Sequence, residues 1–275
     1  MKVVIVTDSN AQMPRALLER FRVAVVPLRI VIDGDEFYEG VDLDTEDFYA
    51  RLAAGASVST AAPGPGAVLA AYEEAARGGA DAILSIHIGS NTSATLNAVA
   101  IAARTSPVPV TVVDTGTASF AVGCCVWAAA ESLAAGASLA DAREIATRVA
   151  GEVGNVFVVG ALRLARAGGR LASGAESGDG VPVLALEAGQ MRPVARVHDQ
   201  ERAVEAMSEY VEQRAGGLPQ RIGVGDALAD ELARALIARL ERGGAVGEIV
   251  RYEVGPSVGA HTGAGTVGAV FFPSA

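Results

Sequence analysis

Residues 83–99 read ILSIHIGSNTSATLNAV, and this stretch indicates the fold class of the chain. The run 83–88 is mostly apolar, as expected for a strand that is buried on both faces. A polar segment of Gly, Asn, Ser and Thr follows at 89–95, and a helical pattern extends over 91–104. A buried strand that passes through a polar turn into a helix is typical of α/β proteins with a parallel sheet.

The same alternation extends in both directions through the first half of the chain. Strands are predicted at 3–6, 23–32, 83–88 and 110–113, and helices at 14–20, 45–53, 65–77, 91–104, 118–135 and 138–150. The pattern changes near 151–155, after which two short strands at 183–186 and 192–197 predict a hairpin. We therefore expect two α/β domains, at 1–152 and 153–275. The first should hold a mainly parallel sheet flanked by helices, and the second a mixed sheet with helices.

Length and composition narrow the class of protein. The chain has 275 residues, of which 51% are hydrophobic and 20% are charged, so it can form a substantial core. Its net charge of -10 disfavours nucleic acids and anionic membrane surfaces as partners. The opening MKVVIVTDSN does not have the pattern of a signal peptide, and uncharged stretches are interrupted by Gly, Pro or clustered polar residues. These features predict a cytoplasmic protein without stable membrane insertion.

The motifs of several enzyme classes are missing from the sequence. It contains no GxxxxGK[ST] phosphate loop, no GxGxxG after the first strand and no GxSxG elbow. The histidines have no partners at the spacing of a zinc site, and the adjacent Cys124 and Cys125 are expected to be buried thiols of a helix. We therefore predict no catalytic residues, no metal and no cofactor.

Short polar segments follow the predicted strands or precede helices. They occur at 7–9, 57–63, 89–95 and 114–115. Because the carboxyl ends of parallel strands share one edge of a sheet, we expect these segments to gather there, where ligands bind. Each also has a purely structural interpretation, since Asp8, Thr60 and Asp114 are suited to capping helices. The segment 89–95 can in addition bind an anion through backbone N–H groups, the helix dipole and hydroxyls.

Two polar residues of the second half lie among glycines. Arg170 follows Gly168 and Gly169, and their flexibility permits a close approach of the backbone. His261 lies within GPSVGAHTGAGTVGAVFF, residues 255–272, which is predicted to contain a glycine-rich turn between strands. Taken alone, Arg170 is best explained as a surface ion pair and His261 as a structural hydrogen-bonding group.

Two further interpretations stay open. Ser93 and His261 could act as the nucleophile and base of a small-ester hydrolase or acyltransferase, although no acidic residue that orients the histidine is apparent. The segment 89–95 could instead form the site of a sugar- or phosphate-binding module. Turnover of a chromogenic ester that is lost in Ser93→Ala would indicate the first, and an anion-dependent rise in melting temperature the second.

Seven segments of the chain form a recognisable series. They are VTDSN, VVPLRIVIDGDEFYEGVD, STAAP, ILSIHIGSNTSATLNAV, VTVVDTGTASFAVG, ALRLARAGGRLA and VGAHTGAGTVGAVFF. In this order they resemble segments of the DegV family of bacterial fatty-acid-binding proteins. The last two are similar to the family patterns LxxLxxGGRIS and IGxHxGPGxxGxxF. The resemblance covers essentially the whole chain.

The resemblance implies a fold, a ligand and a partner. It implies two α/β domains with an apolar tunnel between them that holds one long-chain fatty acid. The carboxylate would contact Thr60, Ser93, Arg170 and His261, with Ser90 as a neighbour. The protein would be a carrier rather than an enzyme, and a separate fatty acid kinase would convert the carboxylate to an acyl phosphate.

The chain departs from the family pattern at several small residues. These are Ala61, Ala62, Gly89, Thr92, Ala94 and Ala264. The hydroxyls and the histidine remain, so we expect the carboxylate site to be kept and the tunnel to change shape. Acyl-chain length and unsaturation, the identity of the kinase and the oligomeric state are left open by the sequence.

Overall fold

The computed structural model describes residues 1–175, 177–244 and 246–274. They form two units. The first unit comprises 1–44 and 56–151, and the second comprises 45–55 together with the described residues from 152 onward. The predicted domain ranges, 1–152 and 153–275, stay a prediction. The two units differ from them mainly in that residues 45–55 pack with the second unit.

Strands and helices alternate along most of the chain. The strands are β1 Val3–Asp8, β2 Ala24–Val26, β3 Arg29–Ile32, β4 Asp35–Tyr38, β5 Val58–Ala61, β6 Ala82–His87, β7 Val110–Asp114, β8 Gly154–Val158, β9 Val181–Glu187, β10 Gln190–Val197, β11 Gln220–Asp226, β12 Val246–Glu253 and β13 Val267–Pro273. The helices are α1 Arg15–Phe21, α2 Thr45–Ala53, α3 Pro65–Arg77, α4 Thr95–Ala103, α5 Phe120–Ala134, α6 Leu139–Glu152, α7 Leu162–Ala167, α8 Gln200–Ala215, α9 Asp230–Gly243 and α10 Pro256–Thr262. Within the described residues, no helix combines the length and the apolar character needed to cross a bilayer. The predicted α/β class is confirmed.

The main sheet of the first unit is entirely parallel, with the strand order β2-β1-β6-β7. One face packs against α3 and α4, and the buried side chains of this cluster include Val6, Val68, Tyr72, Ile83 and Val99. The helix α5 also packs against β1 and β6, and its residues 120–127 are all buried. The thiols of Cys124 and Cys125 are therefore buried on a helix, as predicted. The prediction of a mainly parallel sheet flanked by helices is confirmed.

The carboxyl ends of three neighbouring strands meet at one edge of this sheet. The strand β1 ends at Asp8, β6 at His87 and β7 at Asp114, and His87 lies opposite Asp114 in the register. The predicted polar segments that follow these strands therefore start from the same edge. Two of the candidate ligand-binding residues, Ser90 and Ser93, lie in the turn that starts at this edge.

A three-stranded antiparallel sheet, with the order β4-β3-β5, belongs to the same unit. The predicted single strand 23–32 is wrong, because the chain divides near Pro27 into β2 of one sheet and β3 of the other. Proline has no N–H to donate to a neighbouring strand, so it favours such a break. Thr60, expected in a loop or at a helix cap, lies in β5 opposite Ile30.

The second unit contains a mixed six-stranded sheet with the order β10-β9-β8-β13-β11-β12. The predicted hairpin is present as the antiparallel pair β9 and β10. The helices α8 and α9 cover an apolar core that includes Val156, Met207, Ile222, Leu236 and Phe271. The predicted mixed sheet with helices is thereby confirmed.

The predicted glycine-rich turn around His261 is a short helix instead. The helix α10 begins at Pro256 and places His261 in its last turn. Proline is favoured in the first turn of a helix, where its missing N–H would have no partner. The sequence predicts a turn at His261 because the surrounding glycines and small residues show no helical periodicity.

Candidate functional site

A buried chain of side-chain hydrogen bonds joins the carboxyl ends of β1 and β6. Oδ2 of Asp8 lies 2.9 Å from Nδ1 of His87, and Nε2 of His87 lies 2.7 Å from Oγ of Ser85. The Tyr72 hydroxyl on α3 lies 2.7 Å from the same Ser85 oxygen. All four side chains are inaccessible to solvent. The same Asp8 oxygen also accepts a hydrogen bond from the backbone N–H of Ile88, at 3.0 Å.

This hydrogen-bond network contains the residue types of a nucleophile, a base and an orienting acid. Because Asp8, His87 and Ser85 are completely buried, the arrangement does not present a nucleophile to a substrate. Its effect is to fix where β6 ends and where the following turn begins. Asp8 in addition accepts from the N–H of Asn10, so its predicted role as a cap is present on the short 3₁₀ helix Ser9–Ala11.

Ser93 lies in the polar turn between β6 and α4. The N–H groups of Thr92 and Ser93 both donate to the carbonyl of Gly89, at 2.9 and 3.0 Å. The Ser93 hydroxyl lies 2.9 Å from the Thr95 hydroxyl and accepts from the Thr95 N–H at 3.2 Å. The structure thus places a half-buried hydroxyl beside the start of α4, and the anion site predicted for 89–95 stays a prediction.

Ser90 is held by Asp114 at the end of β7. Its hydroxyl donates to Oδ2 at 2.6 Å, and its N–H donates to Oδ1 at 3.1 Å. Burial raises the pKa of Asp114, but the hydrogen bonds from Ser90 and from the N–H of Gly116 outweigh it and lower that pKa. The carboxylate is therefore charged at neutral pH, and the Ser90 hydroxyl serves to tie the two neighbouring turns together.

The segment after β7 packs tightly on the turn after β6. The N–H of Gly89 donates to the carbonyl of Thr117 at 2.8 Å, and the Asn91 side chain donates to the carbonyl of Gly116 at 3.1 Å. A Cβ at position 89 would lie 2.5 Å from the backbone of Gly116, so only glycine fits without a shift. The residues that follow β7 are thus immediate neighbours of the Ser93 turn.

In the second unit, His261 packs against the backbone at the end of α7. A Cβ on Gly168 would overlap Nδ1 of His261, which means that the imidazole occupies the space beside this glycine. Burial, together with the nearby positive charge of Arg170, lowers the pKa of His261 from its usual 6.5 to about 4. The imidazole is therefore neutral at pH 7. The backbone of Arg170 is fixed by hydrogen bonds with Ala165 and Met191.

The two halves of the predicted site have different chemistry. The first unit supplies half-buried hydroxyls, with Thr60 on the antiparallel sheet and Ser93 beside the parallel one. The second unit brings Arg170 and His261 close enough for the cation to perturb the imidazole. A guanidinium beside a neutral imidazole can hold an anionic group by charge and by a donated hydrogen bond. No cluster of three or more potential metal ligands occurs among the described residues.

Comparison with known proteins identifies the family to which the chain belongs. A family model named DegV, described as an uncharacterised protein family, matches residues 2–274. The chain belongs to the DegV family. A DegV domain-containing protein of Streptomyces coelicolor is 37% identical over 273 residues, which cover 98% of this chain and 97% of the relative. The predicted resemblance is confirmed.

Solved DegV structures share the whole fold. A DegV family protein from Thermus thermophilus, described by its fatty-acid binding, matches with a TM-score of 0.92 and 29% identity. DegV from Bacillus subtilis, described as a fatty acid binding protein, matches with a TM-score of 0.88 and 26% identity. In both cases the match covers 100% of this chain and 100% of the other.

One structural feature of this DegV chain was missed by the sequence analysis. His87 lies in an apolar strand, where a single histidine gives no local signal of its partner. The available signal is the pair formed by a polar residue at the end of β1 and another at the end of β6, since neighbouring parallel strands bring such ends together.

Proposed function

We propose that this DegV chain binds one long-chain fatty acid and does not itself transform it. The observation that carries the proposal is the full-length match to the two DegV structures described as fatty-acid-binding. The site chemistry supports it, because hydroxyls, a guanidinium and a neutral imidazole suit a carboxylate, and the Asp8, His87 and Ser85 side chains are completely buried. We place this function in the cytoplasm, where a fatty acid can meet an ATP-dependent partner.

In this proposal the carboxylate accepts hydrogen bonds from Thr60 and Ser93 and interacts with Arg170 and His261. Ser90 stays nearby, with its hydroxyl on Asp114. A carboxylate taken out of water is destabilised by several kcal/mol unless it is paired or hydrogen-bonded. Hydroxyls, a guanidinium and a neutral imidazole donor together offset that penalty. No metal or cofactor is needed for such binding.

The acyl chain supplies most of the affinity. Each buried methylene contributes roughly 0.8 kcal/mol, so a 16-carbon chain in an apolar tunnel gains on the order of 10 kcal/mol before ordering costs. Polar contacts then add modestly to affinity and mainly fix the position of the headgroup. We therefore expect substitutions that contact the acyl chain to change affinity most, and substitutions that contact the carboxylate to change mainly the position of the headgroup.

Replacing both Thr60 and Ser93 with alanine should weaken palmitate binding by about 100-fold or more. Each lost hydrogen bond to a charged acceptor is worth about 1.5–3 kcal/mol, so two together are worth at least about 3 kcal/mol. Isothermal titration with palmitate measures the change. Thr147→Ala is the matched control, because the Thr147 hydroxyl only donates to the carbonyl of Arg143 in its own helix. An unchanged dissociation constant in the double variant would remove both hydroxyls from the site.

We further propose that the chain presents its fatty acid to a separate kinase, which phosphorylates the carboxylate. Arg170→Ala and His261→Ala should then reduce kinase-coupled acyl-phosphate formation more than they reduce palmitate retention, since the tail dominates retention. The two readouts are measured on the same loaded protein with ATP and a fatty acid kinase. Arg163→Ala, at an exposed position of α7, serves as the control. Equal losses in both readouts would contradict a transfer role for Arg170 and His261.

A further inference from the structure

The helix α10, which carries His261, has little stability of its own. It has only seven residues, and glycines lie just before it, inside it and just after it, at Gly255, Gly259 and Gly263. A helix of this length is unstable in water by itself, and glycine lowers its stability further. The elements that pack against α10 therefore determine where the imidazole of His261 lies.

One of these elements is α2. Residues 45–55 belong to the second unit, although the residues before and after them in the chain belong to the first. Phe48 and Tyr49 on α2 are almost completely buried, and their rings meet edge to face, with 5.0 Å between the centroids and 72° between the planes. The helix α2 thus supplies two large, rigid side chains to the second unit.

Tyr49 contacts α10 in two places. Its hydroxyl donates to the carbonyl of Val254 at 2.8 Å, and Val254 directly precedes Gly255, the residue that caps the start of α10. A Cβ on Gly259, in the middle of the helix, would overlap the same hydroxyl and would lie 2.9 Å from the Phe48 ring. Tyr49 therefore fixes the start of α10 and packs closely against its middle.

His261 faces the other side of α10. Successive residues of an α-helix are rotated by about 100°, so the directions of residues 259 and 261 differ by about 200°. Gly259 faces Tyr49, whereas the imidazole of His261 lies beside Gly168, directly after α7. The helix α10 is thus held between α2 and the end of α7. A shift of α10 relative to Tyr49 must also move the imidazole relative to Gly168.

We propose that Tyr49 is a positioning residue for the ligand headgroup, because it holds α10 so that His261 can donate a hydrogen bond to that headgroup. The inference rests on the proposed function, in which the headgroup is the fatty-acid carboxylate. Tyr49 acts through α10 rather than by touching the ligand, since its hydroxyl binds Val254 and its ring packs on Gly259. A hydrogen bond weakens steeply with poor distance and angle, so a small displacement of α10 matters.

Tyr49→Phe removes the hydroxyl and keeps the ring. Without the bond to Val254 the start of α10 is released, and we expect the imidazole to become more exposed. The pKa of His261 should rise by about 1 from its value of about 4, because burial then opposes protonation less. Proton NMR of the histidine ring signals, on protein without fatty acid, measures this change.

The same variant should impair transfer more than binding. Kinase-coupled acyl-phosphate formation should fall about fivefold, because the hydrogen bond from His261 is weakened. The dissociation constant of palmitate should change by less than about threefold, since the acyl chain supplies most of the affinity. A tyrosine with a purely structural role would lower the stability without this difference between transfer and binding.

Gly259→Ala tests the same contact from the helix. Alanine normally favours a helix over glycine, but here its Cβ overlaps the Tyr49 hydroxyl and should push α10 away. We expect the pKa of His261 and the transfer rate to change at least as much as in Tyr49→Phe. Gly66→Ala is the matched control, since a Cβ at this position of α3 meets nothing within 4 Å. It should leave both readouts unchanged.

Tyr72→Phe is the control for the loss of a buried tyrosine hydroxyl. Tyr72 is also buried, and its hydroxyl lies 2.7 Å from that of Ser85 in the first unit. This variant should lose stability and leave the pKa of His261 near 4. Tyr49→Phe and Gly259→Ala proteins in which that pKa does not rise, or in which transfer stays at the wild-type rate, would overturn the positioning role and leave the proposed function standing. Wild-type protein that binds no palmitate, or whose bound palmitate is not phosphorylated, would remove the proposed function and this inference with it.

Discussion

Replacing Asp8 with alanine should lower the free energy of unfolding of the first unit by about 3–5 kcal/mol. The Asp8 carboxylate accepts hydrogen bonds from His87 and from the N–H of Ile88, in a region with no access to water. It also accepts from the N–H of the buried Asn10, so its removal takes an acceptor from three buried donors. Urea denaturation followed by circular dichroism measures the loss, which is a large fraction of the stability of an ordinary domain.

Substitutions in this buried hydrogen-bond network should lower the stability by different amounts, which depend on how many hydrogen bonds each one removes. His87→Ala should be about as damaging as Asp8→Ala, and the double variant should lose far less than the sum, because both changes break the same interaction. Tyr72→Phe removes only the terminal hydroxyl of the chain and should lower the stability by about 1 kcal/mol. Asp8→Ala and Tyr72→Phe proteins of equal stability would contradict this account of the network.

Alanine at position 168 should displace the imidazole of His261. The backbone of Gly168 has ordinary helical dihedral angles, so any residue can adopt its conformation and only the space beside it is limiting. The added Cβ would overlap Nδ1 of His261, so the ring must move away from this glycine, and we expect it to become more exposed. The pKa of His261 should then rise from about 4 towards 6.5, since the burial that lowers it is lost. Proton NMR of the histidine ring signals, assigned with His261→Gln, follows this titration.

The functional effect of this displacement should match that of removing the side chain. We expect kinase-coupled transfer to fall by at least about tenfold in Gly168→Ala, as in His261→Ala, because a hydrogen bond to a charged group is lost. Gly151→Ala is the matched control, since a Cβ there meets nothing within 4 Å. A Gly168→Ala protein with the pKa of His261 still near 4 and with full transfer would show that the imidazole is not held by this glycine.

The parallel sheet of the first unit was predictable because its strands carry a strong local signal. The apolar run 83–88, followed by a polar turn and a helix, defines β6 and α4 without any long-range information. The gathering of the polar segments that follow β1, β6 and β7 at one edge then follows from the topology of parallel strands. The fold class and these parts of the candidate site could therefore be derived from sequence alone.

Other features depend on contacts that the local sequence does not encode. The helix α10 has only seven residues and lies between glycines, so it shows no helical period and the sequence predicts a turn at His261. The strand predicted over 23–32 is divided between two sheets at Pro27, which local composition marks only as a bend. His87 gives no signal of its partner because Asp8 is 79 residues away in the chain.

The most direct test of fatty-acid binding is native mass spectrometry of the purified full chain after incubation with a panel of long-chain fatty acids. Extraction of the bound species would then identify the preferred acyl chain. We predict a complex with one fatty acid per chain, with a mass that matches a member of the panel. A protein whose mass remains that of the polypeptide alone with every fatty acid tested would contradict the proposed function.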